Sequence, residues 1–212
     1  MAKFFSLYGE LLLSSIVTHV VYVLVCVSIG GIIGLCLGTL LSRYRSVSKA
    51  VIPLLSIFQT IPGIVFIGIL FMYTGMRPIT IIIALSIYAV FPVLKNTYLG
   101  LIEVPYEYLE AAKGCGMNQM QSLFKVELPM ALPVIFSGIR MSTIYITSWT
   151  VLAAMIGQGG LGNFVYTGVA ANDSRLIIAG AIPSAVIAVT LSRFVDFLRD
   201  RFVSDGIKGD LA

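Results

Sequence analysis

Five apolar runs dominate the chain, at about Val20–Leu41, Val51–Tyr73, Ile79–Tyr98, Val134–Ile156 and Leu176–Leu198. As a helix, each is long enough to cross ~30 Å of hydrocarbon, which takes about 20 residues. The rest of the composition agrees. Of 212 residues, 58% are hydrophobic and 11% charged, and the mean hydropathy is +0.98. A water-soluble domain cannot hide that much apolar surface. The expected architecture is an all-α integral membrane protein forming a single domain over residues 1–212. It has about five transmembrane helices and a helix–turn–helix in the polar loop 99–133.

That loop is the stretch most in need of explanation. Glu110–Pro129 reads EAAKGCGMNQMQSLFKVELP and holds four charged residues, Glu110, Lys113, Lys125 and Glu127. Pro105 suits a first helical position, since it has no N–H to leave unpaired, and Gly114 and Gly116 can end that helix. Asn118 can cap a second helix with Gln121 reaching back. Pro129 is expected to end that second helix, because the residue before a proline is pushed toward extended backbone. Met120, Leu123 and Phe124 are spaced i, i+3 and i+4, which predicts one apolar face suited to a groove on a soluble partner. Resting on lipid headgroups is the competing use of such a face.

Within the spans, Gly30, Gly34 and Gly38 recur every four residues. This small-residue stripe lets another helix approach closely, and packing inside the same chain is favoured over a dimer contact. Pro62, Pro92 and Pro183 predict kinks. Polar side chains at membrane depth must face protein or a water path. Gln59 and Thr60 in the second span, and Ser142, Thr143, Thr147 and Thr150 in the fourth, are therefore the candidate translocation path. Lys95 can snorkel to the interface.

The N-terminal segment Phe4–Val17 is too short to span and is expected to lie on the membrane as an amphipathic piece. Lys and Arg cluster near 43–49, in the 99–129 loop and in the C-terminal tail. By the positive-inside rule those parts are cytoplasmic, and five spans then place the N-terminus outside.

Several functions are disfavoured by what the sequence contains. The net charge of +4 comes from span ends and does not make a nucleic-acid surface. There is no metal-ligand spacing, and Cys26 and Cys36, ten helical residues and about 15 Å apart, are too distant to bridge. GQGGLG at 157–162 matches a dinucleotide fingerprint formally, but no strand precedes it, so a glycine turn is the better reading. His19 has no nearby acid or cysteine to make it catalytic. Without a Walker motif the chain cannot cradle ATP itself, so it is not expected to be an enzyme or to bind a cofactor.

Glu110-Ala111-Ala112, Gly116, Val126 and Leu128-Pro129 at their spacing resemble the EAA motif of type I, binding-protein-dependent ABC importer permeases. Val126 replaces the usual isoleucine. The resemblance is greatest to the osmoprotectant (glycine betaine, carnitine, choline) branch, through Ile57–Gly63, Lys95–Gly100 and Asn172–Pro183. It implies a translocation path driven by separate cytoplasmic ATPase subunits that bind ATP and Mg. It also implies a second permease subunit, identical or not, an extracytoplasmic binding protein, and residence in the bacterial cytoplasmic membrane. On the same basis Glu110, Ala111, Ala112, Gly116, Met120, Phe124, Leu128 and Pro129 would contact or transmit to the ATPase. A permease for amino acids such as methionine is the rival within the family. A self-sufficient secondary carrier or channel is the rival outside it.

Overall fold

The computed structural model describes residues 2–203. Among them there are no strands, and the helices run in order α1 (Ala2–Arg43), α2 (Arg45–Phe58), α3 (Gly63–Thr74), α4 (Pro78–Ile102), α5 (Tyr106–Gly114), α6 (Gln119–Ser122), α7 (Leu128–Thr150), α8 (Gly162–Ala170) and α9 (Ser174–Phe202). A π-helical turn, Leu123–Glu127, joins α6 to α7, and a 3-10 turn, Val151–Ile156, follows α7. The expected tail beyond residue 203 lies outside the described residues.

All five apolar runs fall on helices, but two differ from expectation. The second is not one kinked helix. It divides into α2 and α3 around Gln59–Pro62, where Pro62 leaves the helical region with ψ 130°. Proline has no N–H to donate and disfavours the helical conformation at Ile61, so the chain breaks and restarts at Gly63. The two pieces still connect the ends of the bundle. Val47 N–H donates to Tyr44 O beside the end of α1, and Thr74 Oγ1 lies 2.7 Å from Thr80 Oγ1 at the start of α4.

The first run also differs. Phe4–Val17 is not a separate surface segment; it continues the axis of α1, a helix of 42 residues. At ~1.5 Å per residue this is about 63 Å, twice the thickness of the hydrocarbon. No proline occurs before Pro53, so nothing stops the helix. Its first turns gain a partner, because Tyr8 meets Phe164 of α8 edge-on at 6.3 Å. That short α8 falls where a plain outer loop was expected. The GQGG turn before it has positive φ at Gly157, Gly159 and Gly160, conformations that L side chains rarely adopt.

The core forms where α1 and α4 lie side by side. Gly30 meets Ala89 and Ser86 O, Gly34 meets Val90 O and Val93, and Gly38 meets Leu94 O and Thr97. The partners advance in the same direction as the glycines, so the helices are parallel. The stripe thus packs within the chain. Val23, Cys26, Ile81, Leu85 and Ile146 fill the adjoining space and are fully buried.

A methyl added at Gly34 would come within 2.7 Å of Val90 O, whereas Gly31 has open space. Overpacking a tight seam costs about 1–3 kcal/mol. Gly34→Ala is therefore expected to lower the thermal midpoint of the purified chain by several degrees and Gly31→Ala to leave it unchanged. Equal midpoints for the two variants would show that the seam tolerates separation.

Candidate functional site

The loop between α4 and α7 folds as a braced hairpin of helices. α5 begins after Pro105, as expected, with Pro105 as its N-cap at ψ 141° and not its first helical residue. At its other end Gly116 N–H donates to Lys113 O and Met117 N–H to Ala112 O, at 2.9 and 3.0 Å. With Gly116 at φ +76°, this is a Schellman turn, in which the last carbonyls of a helix are satisfied by a left-handed residue just past its end. Asn118 then caps α6. Its Oδ1 accepts from Gln121 N–H and its N–H donates to Gln121 Oε1, both at 2.9 Å. Both ends of the turn are thus closed by hydrogen bonds within about seven residues, and little slack remains in it.

Pro129 does not end the second helix. Leu128 is helical at φ −62° and ψ −47°, and the chain runs from Gln119 to Thr150 without a break. The reason is the π turn. Leu128 N–H reaches Leu123 O, one residue farther back than in an α-helix. The wider turn relieves the clash that a proline ring makes with the carbonyl four residues before it.

The expected apolar face is divided. Leu123 points inward and packs with Leu101, Ala131 and Ile135, while Met120 and Phe124 stay more than 60% exposed. Glu110, Ala111 and Gly116 are also exposed, Leu128 and Pro129 are half-buried, and Ala112 is buried. An outward surface of small, acidic and apolar groups therefore sits on an inner layer anchored to α4 and α7.

That anchor includes a residue the sequence reading passed over. Glu127, 6% exposed, accepts from Arg43 Nη2 at 2.7 Å and from Ser122 Oγ at 3.1 Å. Arg43 is the last residue of α1, so one ion pair ties that helix end to the π turn. On either side lie clefts of about 570 and 320 Å³, the first lined by Tyr44, Tyr106, Lys113 and Met117 and the second by Arg45, Leu101 and Val104. The element is held at a point and is not packed along its length. The signal available in the sequence was an acid placed directly before Leu128-Pro129 in an otherwise apolar stretch.

The candidate path residues separate into two groups. Ser142, Thr143, Thr147 and Thr150 are at most 4% exposed. Ser142 donates to Ala89 O of α4, and the other three donate to carbonyls four residues back in α7. Hydroxyls bonded this way behave as small packing groups, so these four line no open surface in this conformation. His19 belongs to the same interior: it is fully buried, with Nε2 3.1 Å from Thr147 O. Thr60 is exposed and donates to Ile57 O. Gln59 does line an opening, a cleft of about 170 Å³ shared with Tyr88, Tyr145, Ile146 and Trp149. The accessible polar and aromatic face of α7 is thus that of Tyr145, Ser148 and Trp149, whose i, i+3, i+4 spacing was there to be read. Among the described residues no cluster of His, Cys, Asp or Glu could hold a metal.

A multi-pass helical bundle with a braced helical hairpin at one end is the build of a transporter's membrane subunit. The chain belongs to the family described as the binding-protein-dependent transport system inner membrane component, matched over residues 30–205, and within it to the osmoprotectant permeases. It is 34% identical to the glycine betaine/carnitine/choline transport system permease protein OpuCB of Bacillus subtilis, over 99% of this chain and 96% of that protein. It is 37% identical to the choline transport system permease protein OpuBB of the same organism, over 86% and 84%, and 33% identical to the osmoprotectant import permease protein OsmW of Salmonella typhimurium, over 90% and 91%. Among solved structures, the inward-facing MetNI methionine ABC transporter superposes with a TM-score of 0.74 at 24% identity, covering 91% of this chain and 94% of that one. That likeness establishes the fold. Membership of this family sets aside the self-sufficient carrier or channel.

Arg43→Ala and Glu127→Gln each remove one half of the ion pair. Because Arg43 is 40% exposed, screening limits the pair to about 1–2 kcal/mol. Thermal melts of the two variants and of the double variant are expected to show coupling of that size. Additivity within about 0.5 kcal/mol would mean the groups act independently.

Proposed function

We propose that this chain forms the translocation path of an ATP-driven importer for small osmoprotectants of the glycine betaine, carnitine and choline type. Its helical hairpin docks on a cytoplasmic ATPase subunit, which carries the ATP and Mg. A second permease subunit completes the path, and an extracytoplasmic binding protein delivers the solute. The hairpin and the C-terminal end of α9 lie on the cytoplasmic side, as the Lys and Arg distribution favours, and the N-terminus lies on the other.

The observation that carries this reading is the construction of the hairpin. A lever between an ATPase and the spans must be stiff, must present a docking face and must connect to the moving helices. The Schellman turn and the capping box make it stiff. Glu110, Ala111, Met120 and Phe124 provide the face. The Arg43–Glu127 pair and the unbroken run into α7 provide the connections. The relatives' printed solutes support the osmoprotectant class. Nothing in this chain favours methionine, since the likeness to the methionine transporter is one of fold.

Reconstitution with the cognate ATPase and binding protein is expected to give uptake of labelled glycine betaine or choline that requires both ATP and the binding protein. Uptake without ATP would overturn the reading. Gly116→Asp places an L side chain at φ +76°, a strain of about 1–3 kcal/mol at the turn. Its uptake is expected to fall at least about tenfold at unchanged membrane level, with ATPase activity no longer stimulated by solute-loaded binding protein. Wild-type uptake by this variant would show that the turn plays no part in coupling.

A further inference from the structure

The cleft at the break between α2 and α3 has a composition of its own. Among the described residues its walls are Gln59, Tyr88, Tyr145, Ile146 and Trp149, three of them aromatic and none charged. Tyr88 and Trp149 stand 4.5 Å apart between ring centroids at 32°, and Phe66 backs Tyr88 edge-on at 5.5 Å. The rings are fixed by their surroundings. The Tyr88 hydroxyl donates to Ile61 O in the broken segment at 2.8 Å. Trp149 lies against Gly63, where an added methyl would overlap its ring. Glycine at 63 is therefore what lets the indole sit beside the break.

The depth of the cleft is also informative. Tyr88 is near the middle of the 25-residue α4. Gln59 follows the 14 residues of α2, about 21 Å along the helix from its start. Both positions place the cleft near the centre of the bundle, where a discontinuous helix is a recurrent setting for a transported solute. Its volume of about 170 Å³ equals that of roughly six waters at ~30 Å³ each, the size of a small solute and not of a lipid or a peptide. Tyr145 is 46% exposed, so one wall of the cleft is accessible from outside the chain.

We propose that this cleft is a binding site within the membrane span for a trimethylammonium group, held against the open ring of Tyr145 beside the packed Tyr88–Trp149 pair, with the Gln59 amide meeting the polar end of the solute. Aromatic faces attract a quaternary ammonium through their quadrupole, and the attraction strengthens where water is excluded. No acid is needed, and none is among the described residues that line the cleft. The assignment rests on the osmoprotectant reading, because the trimethylammonium head is the chemistry those solutes share. It goes beyond that reading by placing recognition in the permease itself.

Trp149 is the sole tryptophan of the chain, which makes the site directly observable. The full-length chain is reconstituted in liposomes and its fluorescence titrated with choline, with glycine betaine, and with 3,3-dimethylbutan-1-ol, the uncharged isostere of choline. A saturable change is expected with both ammonium solutes and none with the isostere. Tyr145→Ala is expected to weaken the response about tenfold and Tyr145→Phe to retain it, since the ring and not the hydroxyl carries the attraction. No saturable response, or an equal response to the isostere, overturns the site. Uptake by the assembled importer separates the two levels of inference. Wild-type uptake of choline by Tyr145→Ala without a fluorescence response would remove the site and leave the transport function standing. A fluorescence response in an importer that moves no trimethylammonium solute would leave the site and remove the proposed solute.

Discussion

The buried carboxylate of Glu127 is the constraint on which the hairpin end of the molecule depends. A charge out of water must be matched by partners, or the group gives up its charge. Here Arg43 arrives from the end of α1 and Ser122 from the turn before, and both are directed at the same carboxylate. Meeting that demand ties the end of α1 to the π turn and the start of α7. The clefts on either side mean that little else fixes the hairpin at that depth. Leu123 and its three neighbours supply the remaining attachment.

The π turn can be understood in the same terms. It costs hydrogen-bond geometry relative to an α-helix, yet it lets one helix pass through Leu128-Pro129 without a kinked stop. It also turns Leu123 and Glu127 inward together while leaving Phe124 outside. Within five residues the chain carries both a buried anchoring surface and an exposed one.

Much of this was legible in the sequence, and the parts that were not share a cause. The five apolar runs, the glycine stripe, Gly116 in its turn and the Asn118–Gln121 cap are each encoded by side chains that act on their immediate neighbourhood. The Arg43–Glu127 pair joins residues far apart in the chain, and no local pattern marks it. The π turn is the outcome of a competition between the ring of Pro129 and helix continuity, and a rule that treats the residue before a proline as extended takes only one side of it. Thr143, Thr147 and Thr150 count as polar in a sequence but donate to their own helix in this conformation. The polarity that remains available to a solute belongs to Gln59, Tyr145 and Trp149. The length of α1 was missed because the end of an apolar run was equated with the end of a helix. A helix stops only where a cap, a proline or a glycine stops it; Ala2–Val17 has no proline, and neither Gly9 nor the serines at 6, 14 and 15 interrupt α1.

The two irregular points of the fold are not independent. α2 leaves from the joint at Tyr44, next to Arg43, and ends at Phe58 beside Gln59. α7 leaves from Glu127 and carries Tyr145 and Trp149 about 26 Å farther on, at ~1.5 Å per residue. Two helices therefore run from the two halves of one ion pair to two walls of one cleft. In the proposed cycle, a displacement of the hairpin reaches Gln59 through one and the Tyr145–Trp149 pair through the other. A relative shift of α2 and α7 would change the spacing of the aromatic walls without unfolding either helix. Coupling of this kind needs elements that hold their shape between joints that do not. The continuous helical runs of α2 and α7, each giving up one hydrogen bond at Pro53 or Pro133, supply the first, and the Tyr44 joint, the π turn and the Gln59–Pro62 break supply the second. A solute bound between those walls would in turn bias the hairpin, because any coupling free energy between two sites acts equally in both directions.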